Sequence, residues 1–288
     1  MTDAADPTGP PPGLPFVKGH GTENDFVLVP DREGRLDITP DEVRALCDRR
    51  AGIGADGVIR VAPGTRAPFF MDYRNADGSL AEMCGNGARV FARFLLDAGW
   101  AGPGPVTFET RAGLRTAEVG PDGDVTVGMG PAVIGVASAA VVGGVRHPGV
   151  AVDVGNPHLV CRVDGGLAEL AALDLTRPPE VDAELFPAGV NVEFVVPLAP
   201  DRVRMRVHER GSGETRSCGT GTVAVAAVAL SWAGRSVGSV HVLVPGGVVR
   251  VDRTGQDSSL TGPAVLVATG HWTGTREVRP QRKGEKTL

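Results

Sequence analysis

One phrase is written twice in this chain. Cys84-Gly-Asn-Gly-Ala-Arg89 and Cys218-Gly-Thr-Gly-Thr-Val223 each lead into a long apolar run that ends at a glycine, Gly99 in the first case and Gly234 in the second. Apolar runs of this length stopped by glycine read as helices, over 86–98 and 220–233, each with a cysteine at its mouth. From Val90 to Leu96 only Arg93 interrupts the first apolar face, and Arg89, Arg93 and Asp97 read as one polar stripe; from Val223 to Leu230 there is no polar residue at all. A helix that is apolar nearly all round must be covered on most sides. The cover has to be sheet, because 41 Gly, 23 Pro and many short Val-rich runs read as strands and turns. A helix enclosed by curled sheet, repeated once, implies two similar domains face to face.

Strands are expected at 26–29, 57–61, 69–74, 106–109, 116–119, 125–129, 141–145, 151–154, 159–163, 191–196, 202–208, 239–244, 248–251 and 264–269, with further helices at 40–50 and 166–173. The Pro/Gly/Asp-rich residues 1–14 and the charge-rich residues 277–288 bury little apolar surface and are expected to be disordered.

The position of the cysteines has a chemical meaning. The first turn of a helix carries unpaired N–H groups and the positive end of the backbone dipole, so a thiol there is expected to ionise below its ordinary value of about 8.5, towards 7. The same N–H groups can cradle a carboxylate, and glycines let a ligand approach the backbone. The competing reading of each cysteine is a small buried packing residue. That reading is adopted for Cys47, in the helix-like 41–50 segment, and for Cys161, in the strand-like 159–163 segment, because neither has the glycine setting.

Composition excludes several functions. A net charge of −5 with no basic tract argues against a nucleic-acid partner. The longest apolar run, Val223 to Leu230, falls far short of the roughly 20 residues that span a bilayer, and Asp3 and Asp6 stand where a signal peptide would be basic, so a cytoplasmic location is expected. Four cysteines make no disulfide framework and are expected as thiols. No Cys-x-x-Cys and no His-x-x-x-His helix is present, and the six histidines are scattered, so no metal site is expected. Gly52-Ile-Gly-Ala-Asp-Gly57 satisfies G-x-G-x-x-G, but a helix precedes it and a strand follows. A dinucleotide site needs the reverse order.

Six ordered blocks carry a resemblance over roughly residues 16 to 272. They are Asn24-Asp-Phe, Gly52 to Gly57, Asn75-Ala-Asp-Gly-Ser-Leu-Ala-Glu-Met-Cys-Gly-Asn-Gly-Ala-Arg89, Gly155-Asn-Pro-His158, Asn191-Val-Glu-Phe, and His208-Glu-Arg-Gly-Ser-Gly-Glu-Thr-Arg-Ser-Cys-Gly-Thr-Gly221. Together they resemble the diaminopimelate epimerases. The resemblance implies an α/β protein of the α+β type, with two pseudo-symmetric domains, each a curled, mostly antiparallel sheet around a central helix. The active site would lie in the cleft between domains at 15–130 and 131–270, the first completed by a returning segment near 271–276. It further implies interconversion of L,L- and meso-diaminopimelate, for lysine and peptidoglycan precursors, with no pyridoxal phosphate, metal or other cofactor. A homodimer is the assembly considered.

In these terms Cys84 and Cys218 are the acid/base pair, and His158 and Glu209 sit beside them and tune or orient them. Asn24, Asn75, Asn156, Asn191, Glu209 and Arg210 bind the substrate, chiefly its remote end, and Gly85, Asn86, Gly219 and Thr220 meet it too, the last two at the carboxylate cradle. Taken singly, Asn156 also reads as a turn residue, His158 as a structural histidine and Arg210 as a solvated charge. A substrate with two carboxylates needs a forked cation at the distal one, which favours the functional reading of Arg210. Some relatives carry Gln where this chain has Gly57, so one family contact is absent or met by water.

Epimerisation fits two cysteines, because one group must take the Cα proton on one face while another delivers a proton to the opposite face. Two other readings stand beside it. A proline or hydroxyproline racemase also pairs cysteines, but its cyclic substrate has no second amino-acid head for the Asn set and Glu209-Arg210. A two-cysteine redox protein would hold a functional Cys84–Cys218 disulfide. Thiols that reach one carbon from opposite sides must come near disulfide distance. Oxidant is therefore expected to inactivate the protein by joining Cys84 to Cys218, with recovery in dithiothreitol; peptide mapping that finds both thiols free in the inactive protein would contradict this.

Overall fold

A computed structural model describes residues 13–255 and 257–274. The first half runs β1 (Leu14–Gly21), β2 (Asn24–Pro30), α1 (Pro40–Cys47), β3 (Gly57–Pro63), β4 (Phe69–Asn75), α2 (Gly85–Asp97), β5 (Val106–Thr110), β6 (Gly113–Val119) and β7 (Val125–Pro131). The second runs β8 (Val133–Val142), β9 (Val145–Asp153), β10 (Pro157–Arg162), α3 (Gly166–Ala172), β11 (Glu180–Val181), β12 (Asn191–Ala199), β13 (Arg202–Glu209), β14 (Gly213–Thr215), α4 (Gly219–Trp232), β15 (Gly238–Val244), β16 (Gly247–Thr254) and β17 (Asp257–Gly262). A last strand, β18 (Val265–Trp272), returns to the first half and pairs antiparallel with β1.

The strands join edge to edge in the order β18-β1-β2-β3-β4-β5-β6-β7-β17-β16-β15-β13-β12-β10-β9-β8. Parallel pairs fall at matching places, β2–β3 and β4–β5 in one half and β10–β12 and β13–β15 in the other. All other pairs are antiparallel. Parallel neighbours need a crossover, and among the described residues each of the four helices lies in one of these four crossovers. The pairing of β7 with β17 forms the seam, and from it β8 and β18 each cross into the opposite half. The pseudo-symmetry is therefore visible in the ladder itself.

Each half wraps one long helix. Strands β1–β4, β6, β7 and β18 pack on α2, and β8–β10, β12 and β15–β17 pack on α4. In α4 every residue from Thr222 to Leu230 is buried, as an all-apolar sequence requires. The two helices meet tip to tip: a Cβ on Gly219 would lie 2.9 Å from Gly85 Cα and 3.2 Å from the Asn86 nitrogen. Only glycine lets the two N-termini approach so closely.

The structure departs from the sequence reading in places. Residues 141–145 are not one strand: Val141 and Val142 end β8, Val145 opens β9, and between them Gly143 and Gly144 take φ of 58° and 80° and reverse the valine-rich run. Helix α1 stops at Cys47, short of Arg50. Strands β1 and β17 were not read from the sequence because Lys18 and His20 in one and Ser258 and Ser259 in the other mask the apolar pattern. Leu14 opens β1 and is buried, which shortens the expected N-terminal tail; the tail expectations for 1–12 and 277–288 lie outside the described residues. Arg89 does not share a solvent stripe with Arg93 and Asp97, which form a surface ion pair, but is fully buried.

The helix-tip contact sets a stability test. Gly219→Ala must push the tips apart, and strain of that kind costs about 1–3 kcal/mol, whereas Gly102→Ala places its methyl in open space. Thermal melts should fall for the first and stay near wild type for the second; equal melts would contradict the close approach.

Candidate active site

Both cysteines are extended residues one position before a helix, Cys84 with φ −137° and Cys218 with φ −121°. Each sulfur accepts a hydrogen bond from the backbone N–H of the third residue of its helix, Gly87 at 3.4 Å and Gly221 at 3.4 Å. The sulfurs thus act as helix N-caps, in the role an Asp or Ser usually fills. The helical ladder leaves the N–H groups of Gly85, Asn86, Gly219 and Thr220 without acceptors inside their helices. With the tips in contact, these four donors gather at one place in the seam.

Around Cys84 the contacts come from the first half. Its thiol donates to Asn24 Oδ1 at 3.7 Å, and the same oxygen accepts from Asn86 Nδ2 at 3.1 Å. Asn24 Nδ2 donates to Asp56 at 2.7 Å, and Arg49 in turn holds Asp56. Asn86 Nδ2 also reaches the Ser217 carbonyl at 3.0 Å, tying α2 to the residue before Cys218.

Around Cys218 the second half supplies the mirror arrangement. Thr220 Oγ1 lies 3.6 Å from Cys218 Sγ and accepts from Asn156 Nδ2 at 3.5 Å. Asn156 Oδ1 lies 3.0 Å from His158 Nε2, and the other ring nitrogen lies 2.7 Å from Glu193. Among the described residues no hydrogen bond joins His158 to either sulfur; its hydrogen-bond link to Cys218 runs through Asn156 and Thr220. Glu209 accepts from Thr215 and faces the Cys218 thiol. Asn191 accepts from the Arg210 backbone N–H at 2.9 Å, which fixes where the arginine leaves the chain. The Arg210 guanidinium donates to the Ala188 carbonyl at 3.1 Å and is exposed. Among the described residues it has no carboxylate within ion-pair distance.

Register explains why these residues meet. Asn191 opens β12 opposite His158 on β10, while Asn75 and Glu209 end the equivalent strands β4 and β13. The Asn75 side chain donates to Ser79 at 3.0 Å, and among the described residues no hydrogen bond joins it to the other candidates. At Gly57 a Cβ would lie 2.5 Å from the Arg74 carbonyl oxygen and 2.6 Å from the Tyr73 ring, so the strand and Tyr73 already fill that space. Sequence reasoning assigned no role to Glu193, Tyr73 or Arg89. The signal for Glu193 was its place two residues after Asn191, inside a motif block. Among the described residues, no group of three or more His, Cys, Asp or Glu side chains gathers as a metal site would require.

The expectation of thiols easily ionised by their helix ends is overturned. Burial pushes Cys84 up to about 12, with the Gly87 N–H pulling down, Glu209 pushing up, and the Asn86 N–H and Arg89 pulling down. Burial also pushes Cys218 well above its ordinary value, and the Glu209 and Glu193 carboxylates add to the rise. The helix ends do favour the thiolates, as their position implies, but desolvation outweighs them. Glu209 and Glu193 are themselves raised by burial.

The sequence profile of the diaminopimelate epimerase family matches residues 16–135 and 150–267. A diaminopimelate epimerase of Rhodococcus erythropolis is 52% identical over 278 residues, covering 89% of this chain and 95% of its own length. One from Corynebacterium glutamicum is 51% identical over 271 residues, covering 89% of this chain and 97% of its own. Among solved structures, a PhzF-family phenazine biosynthesis protein of Bacillus anthracis superposes with a TM-score of 0.71 at 16% identity, over 90% of this chain and 98% of the other. A hydroxyproline epimerase of Agrobacterium vitis gives a TM-score of 0.65 at 16% identity, over 89% and 91%. These two likenesses concern the fold alone.

Raised thiols fix the sign of a pH dependence. A thiol whose pKa is raised is mostly protonated at neutral pH, so the fraction able to act as base grows as pH rises, while the partner must still hold its proton. Turnover should increase from about pH 6 to pH 8 and fall once the second thiol ionises; a profile flat across this range would contradict a titrating pair.

Proposed function

The chain belongs to the diaminopimelate epimerase family, and from that membership we propose that it interconverts L,L- and meso-diaminopimelate with Cys84 and Cys218 as the acid/base pair. The observation that carries the reading is the meeting of two cysteine-capped helix N-termini, one from each pseudo-symmetric half, at Gly85 and Gly219. An α-carbon held between the sulfurs has one on each face. The thiolate takes the Cα proton as the C–H bond breaks and an S–H bond forms. The opposite thiol gives up its proton and a new Cα–H bond closes with inverted hand. No electrons change hands.

Acidity at the carbon is the difficulty, because removing its proton leaves negative charge that spreads into the α-carboxylate. The donors of Gly85, Asn86, Gly219 and Thr220 and both helix dipoles are aimed at that charge before it forms, which is where fixed dipoles stabilise a transition state most. Glu209 beside Cys218 and the His158–Glu193 pair behind it set the hydrogen bonds of the second thiol, as Asn24 and Asp56 set those of the first. At the remote end the unpaired Arg210 fork suits the distal carboxylate. Asn75, Asn156 and Asn191 would read the distal ammonium group and its hand. The reading extends to two domains that divide between β7 and β8, and to a cytoplasmic enzyme. It also extends to a homodimer, for which the exposed apolar Val133, Ile134 and Val136 on β8 offer a face.

Three substrates test this on purified, reduced protein: L,L-diaminopimelate should be turned over and L-proline and trans-4-hydroxy-L-proline should not. Cys84→Ala and Cys218→Ala should each abolish epimerisation with the fold retained, while Cys47→Ala should be nearly silent; comparable activity in either active-site variant sinks the mechanism. Arg210→Lys keeps the charge but loses the fork and should cost about 2 to 4 kcal/mol in kcat/KM. D,D-Diaminopimelate should be a poor substrate, and turnover equal to that of the L,L form would rule out the distal site.

A further inference from the structure

Arg89 is the largest side chain in the described structure that is fully shut off from solvent, and no carboxylate pairs with it. Its Nη2 donates to Thr22 Oγ1 at 3.0 Å and to Asn86 Oδ1 at 2.8 Å, while Nε and Nη1 have no hydrogen-bond partner among the described residues. The space is built for it from both halves. A Cβ on Gly21 of β1 would lie 2.8 Å from Nη2, and one on Gly262 of β17 would run into Nη1. Thr22, held at φ 52°, links the guanidinium to Ser217 through a 2.8 Å hydrogen bond. A buried guanidinium without a counter-ion is costly, so its retention at the seam calls for an anion that answers it.

That anion is next door along the hydrogen bonds. Arg89 fixes the oxygen of the Asn86 amide, which turns Asn86 Nδ2 towards Asn24 Oδ1, the atom that accepts the Cys84 thiol proton's hydrogen bond. When Cys84 loses its proton, Asn24 Oδ1 keeps a donor. The second half has no such group, because the residue five places after Cys218 is Val223 where the residue five places after Cys84 is Arg89.

We propose that Arg89 is a positioning residue for Cys84, whose uncompensated charge and hold on Asn86 make Cys84 the thiol of the pair that ionises first. The charged groups around the pair agree. Facing Cys84 are Glu209 and Arg89, with Tyr73 close by and Asp56 one side chain away behind Asn24. Facing Cys218 are Glu209 and Glu193, with His158 hydrogen-bonded to the latter, and among the described residues no Lys or Arg acts on it as Arg89 acts on Cys84. Burial lowers Arg89 only to about 10, so it stays charged at neutral pH, and the groups that hold it up are Cys84 and then Asp124.

The inference rests on the reading of the two thiols as a reacting pair, but its test does not require turnover. Reduced full-length protein is alkylated with iodoacetamide across a pH series, and the rate at Cys84 and at Cys218 is followed separately by peptide mass spectrometry. In wild type the Cys84 midpoint should lie at least about one pH unit below that of Cys218. Arg89→Gln, which keeps donors for Thr22 and Asn86 but removes the charge, should raise the Cys84 midpoint by about one unit. It should leave the Cys218 midpoint in place, and Arg89→Lys should restore most of the shift. A Cys84 midpoint at or above that of Cys218 in wild type overturns the proposal, as does an unmoved midpoint in folded Arg89→Gln. Should Arg89→Gln not fold, the order of midpoints in wild type decides alone. Ordered midpoints in a protein inactive on diaminopimelate would keep this inference and sink the functional reading; activity with reversed midpoints would do the opposite.

Discussion

Two helices brought head to head at their positive ends is the constraint on which the rest of this structure depends. Like ends of backbone dipoles repel, and each end presents N–H groups that the helix itself cannot satisfy. Contact of Gly85 with Gly219 puts both sets of donors in one place, and the buried Arg89 adds a full positive charge behind them. Such an arrangement is electrostatically incomplete without negative charge at the tips. In the proposed reaction a carboxylate whose charge grows would complete it, with the two sulfurs, at the caps of the same helices, on either side.

The surrounding fold can be read as the means of keeping those tips together. The sheet runs unbroken from β18 to β8 through the β7–β17 ladder, so the two halves are joined by a shared strand pair. Strands β8 and β18 each cross the seam, and Asn86, Thr22 and Arg89 add polar links between α2, the β1–β2 turn and the residue before Cys218. The apolar wrapping of α2 and α4 fixes their axes. Rigid placement of this kind is what acid/base chemistry on two faces of one carbon requires, because a misplaced group of about 1 Å costs heavily in rate.

A symmetric scaffold carries asymmetric chemistry. Equivalent positions hold Asn24 at the start of β2 and Asn156 just ahead of β10, Gly57 and Asn191 at the start of β3 and β12, Asn75 and Glu209 at the end of β4 and β13, and Cys84 and Cys218 at the helix caps. One cation, Arg89, offsets Glu209 around the first thiol, where the amides of Asn24 and Asn86 also stand, whereas two carboxylates, Glu209 and Glu193, act on the second. That difference suits a pair in which one member must be thiolate while the other is thiol. Burial raises both, and the competition between desolvation and fixed donors, rather than the helix end alone, sets how each ionises.

Much was written in the order of residues. The repeated Cys-Gly-x-Gly unit fixed where two helices begin, their all-apolar faces required enclosure, and the motif blocks named most of the residues that line the seam, because local backbone geometry and hydrophobic periodicity are properties of short segments. The sequence could not say that Arg89 faces inward rather than along the Arg93–Asp97 stripe, that Glu193 pairs with His158, or that Tyr73 occupies the space over Gly57. Nor could it say that Cys84 and Cys218 are raised rather than lowered in pKa. Each of these depends on partners 16 to more than 100 positions away, and on how much water the closed fold removes. Contacts between distant segments and the desolvation they cause exist only once the sheet has curled and the two halves have met.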